Sequence, residues 1–409
     1  MIAGTLSSGL SYAVKKSGSA VAYCALSIRC GTRSEQDFPE GTAHFAEHTI
    51  FKGTAHRSAA QISSCLDRLG GELNAYTTKE EIVIHATVLK EDLWKAVKLL
   101  MELATEPSFP SKEVETERGV VLDEINSYKD SPADDIFDKF EEALFAGHPL
   151  GRSILGTSSS VRKIRCRDLH EFVKREFRPE KMALTIVADL DEAVMAKTAA
   201  RNAAKYFPGN SEPLRPEPKA ACVGTVRFDK TFDKHNHEAN AVIGGAAPSL
   251  YEEKDRITAV LLCNLLGGPG SNSLLNASLR EKHGWVYGVE CAFTQYCDTG
   301  IMAISLGCDK ENLELCFKEI DRIIHKLQTA PLSEARLKAA KKQLLGQLAV
   351  SSDNGETQAL SMGKSMMAFG RISTRKEDIE AIEAVTATDL QSMAVRVFDK
   401  DNLSRMIFL

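Results

Sequence analysis

Two histidines and a glutamate fall within five residues, His44-Phe45-Ala46-Glu47-His48, and this spacing is the raw material of a catalytic zinc site. On an α-helix positions i and i+4 lie one above the other, so both imidazoles can offer nitrogens to one ion. Glu47 points to the same side. A carboxylate beside a water that zinc has acidified to a pKa of about 7 is a natural general base. The letters read HxxEH, the inverse of the common HExxH string. A third protein ligand must come from elsewhere in the chain. The stretch after Pro110, SKEVETERGVVLDEINSYKD, places Glu117 and Glu124 seven residues apart, two helical turns and hence on one face. Either acid could reach a metal.

The elements that must position these groups follow from pattern. Strands are expected around Tyr12 to Lys15, Val21 to Arg29, Glu72 to Thr77 and Glu81 to Leu89. Helices are expected around the HxxEH string, Ala59 to Leu69, Lys90 to Ala104 and Lys112 to Ser127. At 409 residues the chain exceeds what one hydrophobic core usually spans. A proline-rich stretch, FPGNSEPLRPEPKAACV, reads as a linker and divides it nearly in half. The expected organisation is a domain over 1–207, a linker over 208–222 and a second domain over 223–409.

The two halves repeat. Leu66 to Ala75 lies over Leu279 to Gly288, both reading as a helix end, a glycine and a strand, and Glu91-Asp92-Leu93 lies over Glu311-Asn312-Leu313. The expected fold class is therefore α+β, two duplicated domains with a mainly antiparallel sheet and helices in each. The HxxEH region falls on Arg256 to Leu262 of the second half, a stretch that holds no histidine, and Glu117 and Glu124 fall on Ala339 and Gly346. The candidate site belongs to the first half alone.

Composition excludes some classes. With 51 basic and 56 acidic residues the chain is mildly acidic, which gives no support for nucleic-acid binding. No apolar stretch is long enough to span a bilayer. Ten cysteines form no CxxC pair, which points to a reducing compartment rather than a disulfide framework. With Met1 as the natural start and no signal or transit pattern, the expected location is the cytoplasm. The His235-Asn236-His237 string reads as a polar loop before a strand, and Gly267-Gly268-Pro269-Gly270 as a separator of two helices. Ser111 to Glu142 holds eleven acidic residues against four basic ones, mostly a solvated face.

Five strings together resemble the pitrilysin or insulinase-like family of inverted zincins, in particular its half-length branch with mitochondrial processing peptidase and bacterial relatives. They are HFAEHTIFKGT (His44 to Thr54), GGELNAYTTKE (Gly70 to Glu80), ERGVVLDEI (Glu117 to Ile125), HPLGRSILGT (His148 to Thr157) and LREKHGWVYGV (Leu279 to Val289). The resemblance covers nearly the whole chain. It implies a zinc endopeptidase with one Zn²⁺ per chain. The family's third ligand lies about 76 residues past the last histidine; 124 minus 48 is 76, which selects Glu124. Glu117 then takes a supporting role beside the site, and Glu47 acts as the base. Asn74, Ala75 and Tyr76 would begin the strand that accepts substrate as an added β-strand. Arg280 and Tyr287 match a pair that stabilises the developing oxyanion. Relatives of this length pair two chains. Because this one carries both zinc motif and Arg-Tyr pair, the resemblance implies a homodimer around a closed chamber, with a heterodimer as the alternative. A presequence-type processing peptidase and a non-catalytic partner subunit are the rival functions.

Overall fold

A computed structural model of the chain describes residues 1–211 and 223–409. Most of the expected linker, residues 212–222, lies outside the described residues. Two compact units emerge, each a mixed α+β structure built on one sheet.

The first sheet has six strands, β1 (Ile2–Thr5), β2 (Ser11–Lys16), β3 (Val21–Ile28), β4 (Glu72–Thr77), β5 (Ile82–Leu89) and β6 (Met182–Ala188), in the order β1-β2-β6-β3-β5-β4. Only β2 and β6 run parallel. The second has five, β7 (Asp229–Phe232), β8 (Glu238–Ala247), β9 (Val286–Gln295), β10 (Gly300–Asp309) and β11 (Ser404–Phe408), in the order β7-β11-β8-β10-β9. Matching β2 through β6 to β7 through β11 in chain order reproduces every neighbour, and the one parallel pair, β7 with β11, falls in the same place. The repeat read from a few letters is thus a repeat of topology.

The helices of the first half include α1 (Thr42–Ile50), α2 (Ala59–Asp67), α3 (Leu93–Thr105), α4 (Ser111–Lys129) and α5 (Pro132–Leu144). β6 is buried along its whole length, as expected of a strand covered on both faces. α3 packs on the same sheet, against β3 and β5, and a helix from late in the chain, Gly355–Phe369, packs across β2, β3 and β6. In that late helix Ala359, Met362, Met366 and Met367 form a core with Ala13, Ala183 and Val187.

The compact units do not follow the chain as the boundaries 1–207 and 223–409 would. Residues 350–372 belong with the first sheet, and residues 127–151 with the second. The reason is apolar spacing. α5 presents Ile136, Phe140 and Leu144 four residues apart on one face, and these bury against Val242, Ile301, Met406 and Phe408 of the second sheet. Each half therefore supplies the other's sheet with the helix that follows its own long helix. Among the described residues no helix is long and apolar enough to cross a membrane, and the nine described cysteines are all free thiols.

Candidate active site

α1 carries the HxxEH string and is buried almost all round. Its start is unusual. Gly41 occupies the N-cap with φ +87°, and no side chain of the cap residue closes the helix. Instead the buried Glu35 carboxylate accepts the Gly41 N–H at 3.0 Å and the Ala43 N–H at 2.6 Å. Two of the N–H groups that a helix start leaves open are thereby satisfied from outside the helix.

The i, i+4 spacing brings the two imidazoles together, with ring centroids 4.5 Å apart. α4 lies alongside, and its two-turn spacing delivers both acids. Glu124 Oε2 is 3.7 Å from His44 Nε2 and 3.5 Å from His48 Nε2. Glu117 Oε1 is 2.8 Å from His48 Nδ1. Glu47 is buried beside them, and its Oε2 accepts a hydrogen bond from the Thr77 hydroxyl at 3.1 Å. Thr77 ends β4, the outer strand of its sheet, directly after Asn74, Ala75 and Tyr76.

The donor set fits a zinc ion. Ligand atoms 2.0–2.2 Å from a tetrahedral ion lie roughly 3.4 Å from one another. The two Glu124 to His separations, 3.5 and 3.7 Å, match that and are too long for good hydrogen bonds. Glu124 Oε2 is buried with no hydrogen-bond partner, which is costly unless a cation takes its place. Burial, helped by the nearby His48, pushes the His44 imidazole down to about 3, so its lone pair is free at any physiological pH. Burial also opposes charge on His48, but the Glu117 hydrogen bond and the carboxylates of Glu47, Glu124 and Glu117 outweigh it and hold His48 above its ordinary value. Burial likewise opposes the Glu117 carboxylate, and its bonds to His48 and Lys52 still bring it below the usual range. The Glu47 carboxyl is pushed up by burial, against the pull of His48 and the Thr77 hydroxyl and with the help of Glu124 and Glu117.

Two family models match the chain one after the other, from residue 12 to residue 344. "Insulinase (Peptidase family M16)" matches residues 12–158, and "Peptidase M16 inactive domain" matches 163–344. The chain belongs to peptidase family M16. The M16 relatives include an uncharacterized zinc protease of Rickettsia felis, 29% identical over 93% of this chain and 91% of the relative. Another is the uncharacterized zinc protease YmxG of Bacillus subtilis, 27% identical over 92% and 91%. The fold is shared with a crystal structure of a protease from Helicobacter pylori, with a TM-score of 0.88 at 19% identity over 100% of this chain and 98% of that one. A Pseudomonas fluorescens structure described as a peptidase M16 inactive domain has a TM-score of 0.86 at 18% identity. The "inactive" model covers residues 163–344, which hold no HxxEH string.

Of the residues picked out in the sequence, His44, Glu47, His48, Glu117 and Glu124 come together in one cluster. Asn74, Ala75 and Tyr76 lie on the strand that leads into it. Arg280 and Tyr287 belong to the other unit. There Arg280 sits on a π-helix, Asn276–Lys282, and the exposed Tyr287 donates its hydroxyl to Asp309 Oδ1 at 2.7 Å. His235 and His237 lie in the turn between β7 and β8.

Thr77, Lys52 and Glu35 complete the site and carry weaker signals in the sequence. Thr77 could have been found from strand alternation, which puts it on the face of Leu73 and Ala75, toward α1. Lys52 continues the spacing of 44 and 48 by four. Glu35 carries no local signal, because it acts across a loop.

Proposed function

We propose that this M16 chain is a zinc-dependent endopeptidase that hydrolyses peptides laid as an added strand along β4. His44, His48 and Glu124 would hold one zinc ion, and Glu117 would support the site through His48. When bound, zinc supplies a Lewis acid that acidifies a water and polarises a peptide carbonyl. Glu47 takes the proton from the attacking water and returns it to the leaving amine. Thr77 aims the Glu47 carboxylate by donating to one oxygen and leaves the other for that proton. An edge strand offers unpaired main-chain N–H and C=O groups to any peptide, so binding depends little on side chains.

The observation that carries this reading is the continuity of β4 with the base. The free outer edge at Asn74 to Tyr76 ends in the residue that holds Glu47. A peptide on that edge is delivered beside His44, His48 and Glu124. The experiment is metal analysis paired with cleavage of an internally quenched peptide. About one zinc per chain and activity lost to a chelator, then restored by zinc, is the expected outcome. Zinc-free protein with full activity, or stoichiometric zinc with no cleavage of any member of a mixed peptide library, would refute the proposal.

A further inference from the structure

Lys52 lies four residues past His48, just beyond the end of α1. Its Nζ is 2.7 Å from Glu117 Oε2, while the other oxygen of the same carboxylate is 2.8 Å from His48 Nδ1. The Glu117 side chain is only 8% exposed and that of Lys52 30%. We propose that Lys52 is a positioning residue of the metal site, acting on His48 through Glu117. The inference rests on the zinc reading above.

A histidine that coordinates through Nε2 must carry its proton on Nδ1, and a fixed acceptor at Nδ1 sets both the tautomer and the ring angle. Glu117 is that acceptor. A carboxylate held at one oxygen only can pivot about it or turn toward water. The Lys52 ammonium takes the second oxygen, so the carboxylate plane and the His48 ring are set together. An exposed ion pair would contribute little. This one differs because its acid is buried and its other oxygen is already committed to a ligand.

Charge points the same way. Glu47, Glu117 and Glu124 bring three negative charges to the cluster, and a divalent ion cancels two. Lys52 supplies the third positive charge, directly on the carboxylate that does not face the ion. Its own repulsion of a cation works in the opposite direction, so by direct charge alone removing Lys52 would tighten metal binding. Any loosening must therefore travel through Glu117.

The test is the zinc dissociation constant, measured by competition with a chromophoric chelator, for the wild-type chain, K52M, K52Q, K52R, E117Q and the K52M/E117Q double variant. Melting curves confirm that each is folded. K52M and K52Q are expected to bind zinc about tenfold or more weakly, within the range for loss of a group that orients a ligand, and K52R to stay within about threefold of wild type. In the E117Q background K52M should add no further loss. Wild-type affinity in both K52M and K52Q, or the same loss with and without Glu117, would overturn the inference while leaving the zinc site intact. A wild-type chain that binds no zinc would overturn the zinc reading and this inference with it.

Discussion

Replacing Glu47 by Gln removes a proton acceptor and little else. The two side chains have the same shape, and the Gln carbonyl can still accept the Thr77 hydroxyl that now lies 3.1 Å from Glu47 Oε2. His44, His48 and Glu124 are untouched, so zinc content should stay that of the wild type. General acid-base catalysis contributes about 10²–10⁴ in rate, or about 3–5 kcal/mol of barrier at 1.36 kcal/mol per tenfold. The upper end is expected because the role proposed for Glu47 is both to take and to return the proton, and its residue is only 8% exposed, leaving buffer little access to replace it. Stability moves the other way. In the metal-free protein burial raises the Glu47 carboxyl above its ordinary 4.5. A group with a raised folded pKa contributes its full stability below the unfolded value and loses it as pH rises through the folded one. Wild type should therefore lose stability relative to Glu47→Gln above about pH 4.5, and the metal-free variant should melt no lower than wild type at pH 8. The assay is turnover of a quenched peptide by zinc-replete protein, with metal analysis and melting curves at several pH values. Turnover within tenfold of wild type, or loss of zinc along with activity, would refute the assignment.

Glu35→Gln leaves one of the two buried N–H groups at the start of α1 facing an amide NH₂, a cost of about 1–3 kcal/mol that urea unfolding of the metal-free protein should register, with weaker zinc binding as the helix start loosens. The fragment 1–211 made alone lacks the late helix that covers Ala13, Ala183 and Val187 and leaves Ile136, Phe140 and Leu144 of α5 bare, the burial of each of these three large side chains being worth about 1.5–3 kcal/mol. It should be insoluble unless co-expressed with the remainder, and a soluble, cooperatively melting monomer of 1–211 would show that the exchanged helices are dispensable.

Much of the first unit was legible because its signals are local. The strand over Glu72–Thr77 is legible to the residue, and the ends of α2 and α4 to within two, since alternation and 3.6-residue spacing are properties of a short window. The clustering of His44, His48 and the two acids of α4 was legible for the same reason, as both pairs sit at whole-turn spacings. The exchange of helices was not. Ile136, Phe140 and Leu144 announce an apolar face, but nothing in a window of sequence says which of two similar sheets will cover it. The late helix is harder still to place, because its face is made of Ala359, Gly363 and methionines. Gly363 is there for contact, since a side chain at that position would run into the Ser27 hydroxyl of β3. Glu35 was invisible on different grounds. Its partners are main-chain N–H groups, which every residue but proline possesses, so no residue type points to it.

The two halves make the site's cost visible. Their strand topologies coincide, so the second sheet shows that this scaffold does not require the polar groups of the first. Where the first half has Glu117 and Glu124 on α4, the corresponding positions of the helix Glu334–Ser351 are Ala339 and Gly346. Three carboxylates and two imidazoles crowd α1 and α4, with His44 Nδ1 and Glu124 Oε2 buried and lacking hydrogen-bond partners. Buried polar atoms are nearly always paired, and local violations of that rule gather where a protein binds something. The unpaired Glu124 oxygen, facing two imidazole nitrogens, is the place where such a partner is missing. In the proposed reading a divalent cation would satisfy it, and Lys52 would complete the charge on the far side of Glu117. The matching positions of the duplicated half carry none of these imidazoles or carboxylates, so the crowding of polar groups in the first half belongs to its site and not to its fold.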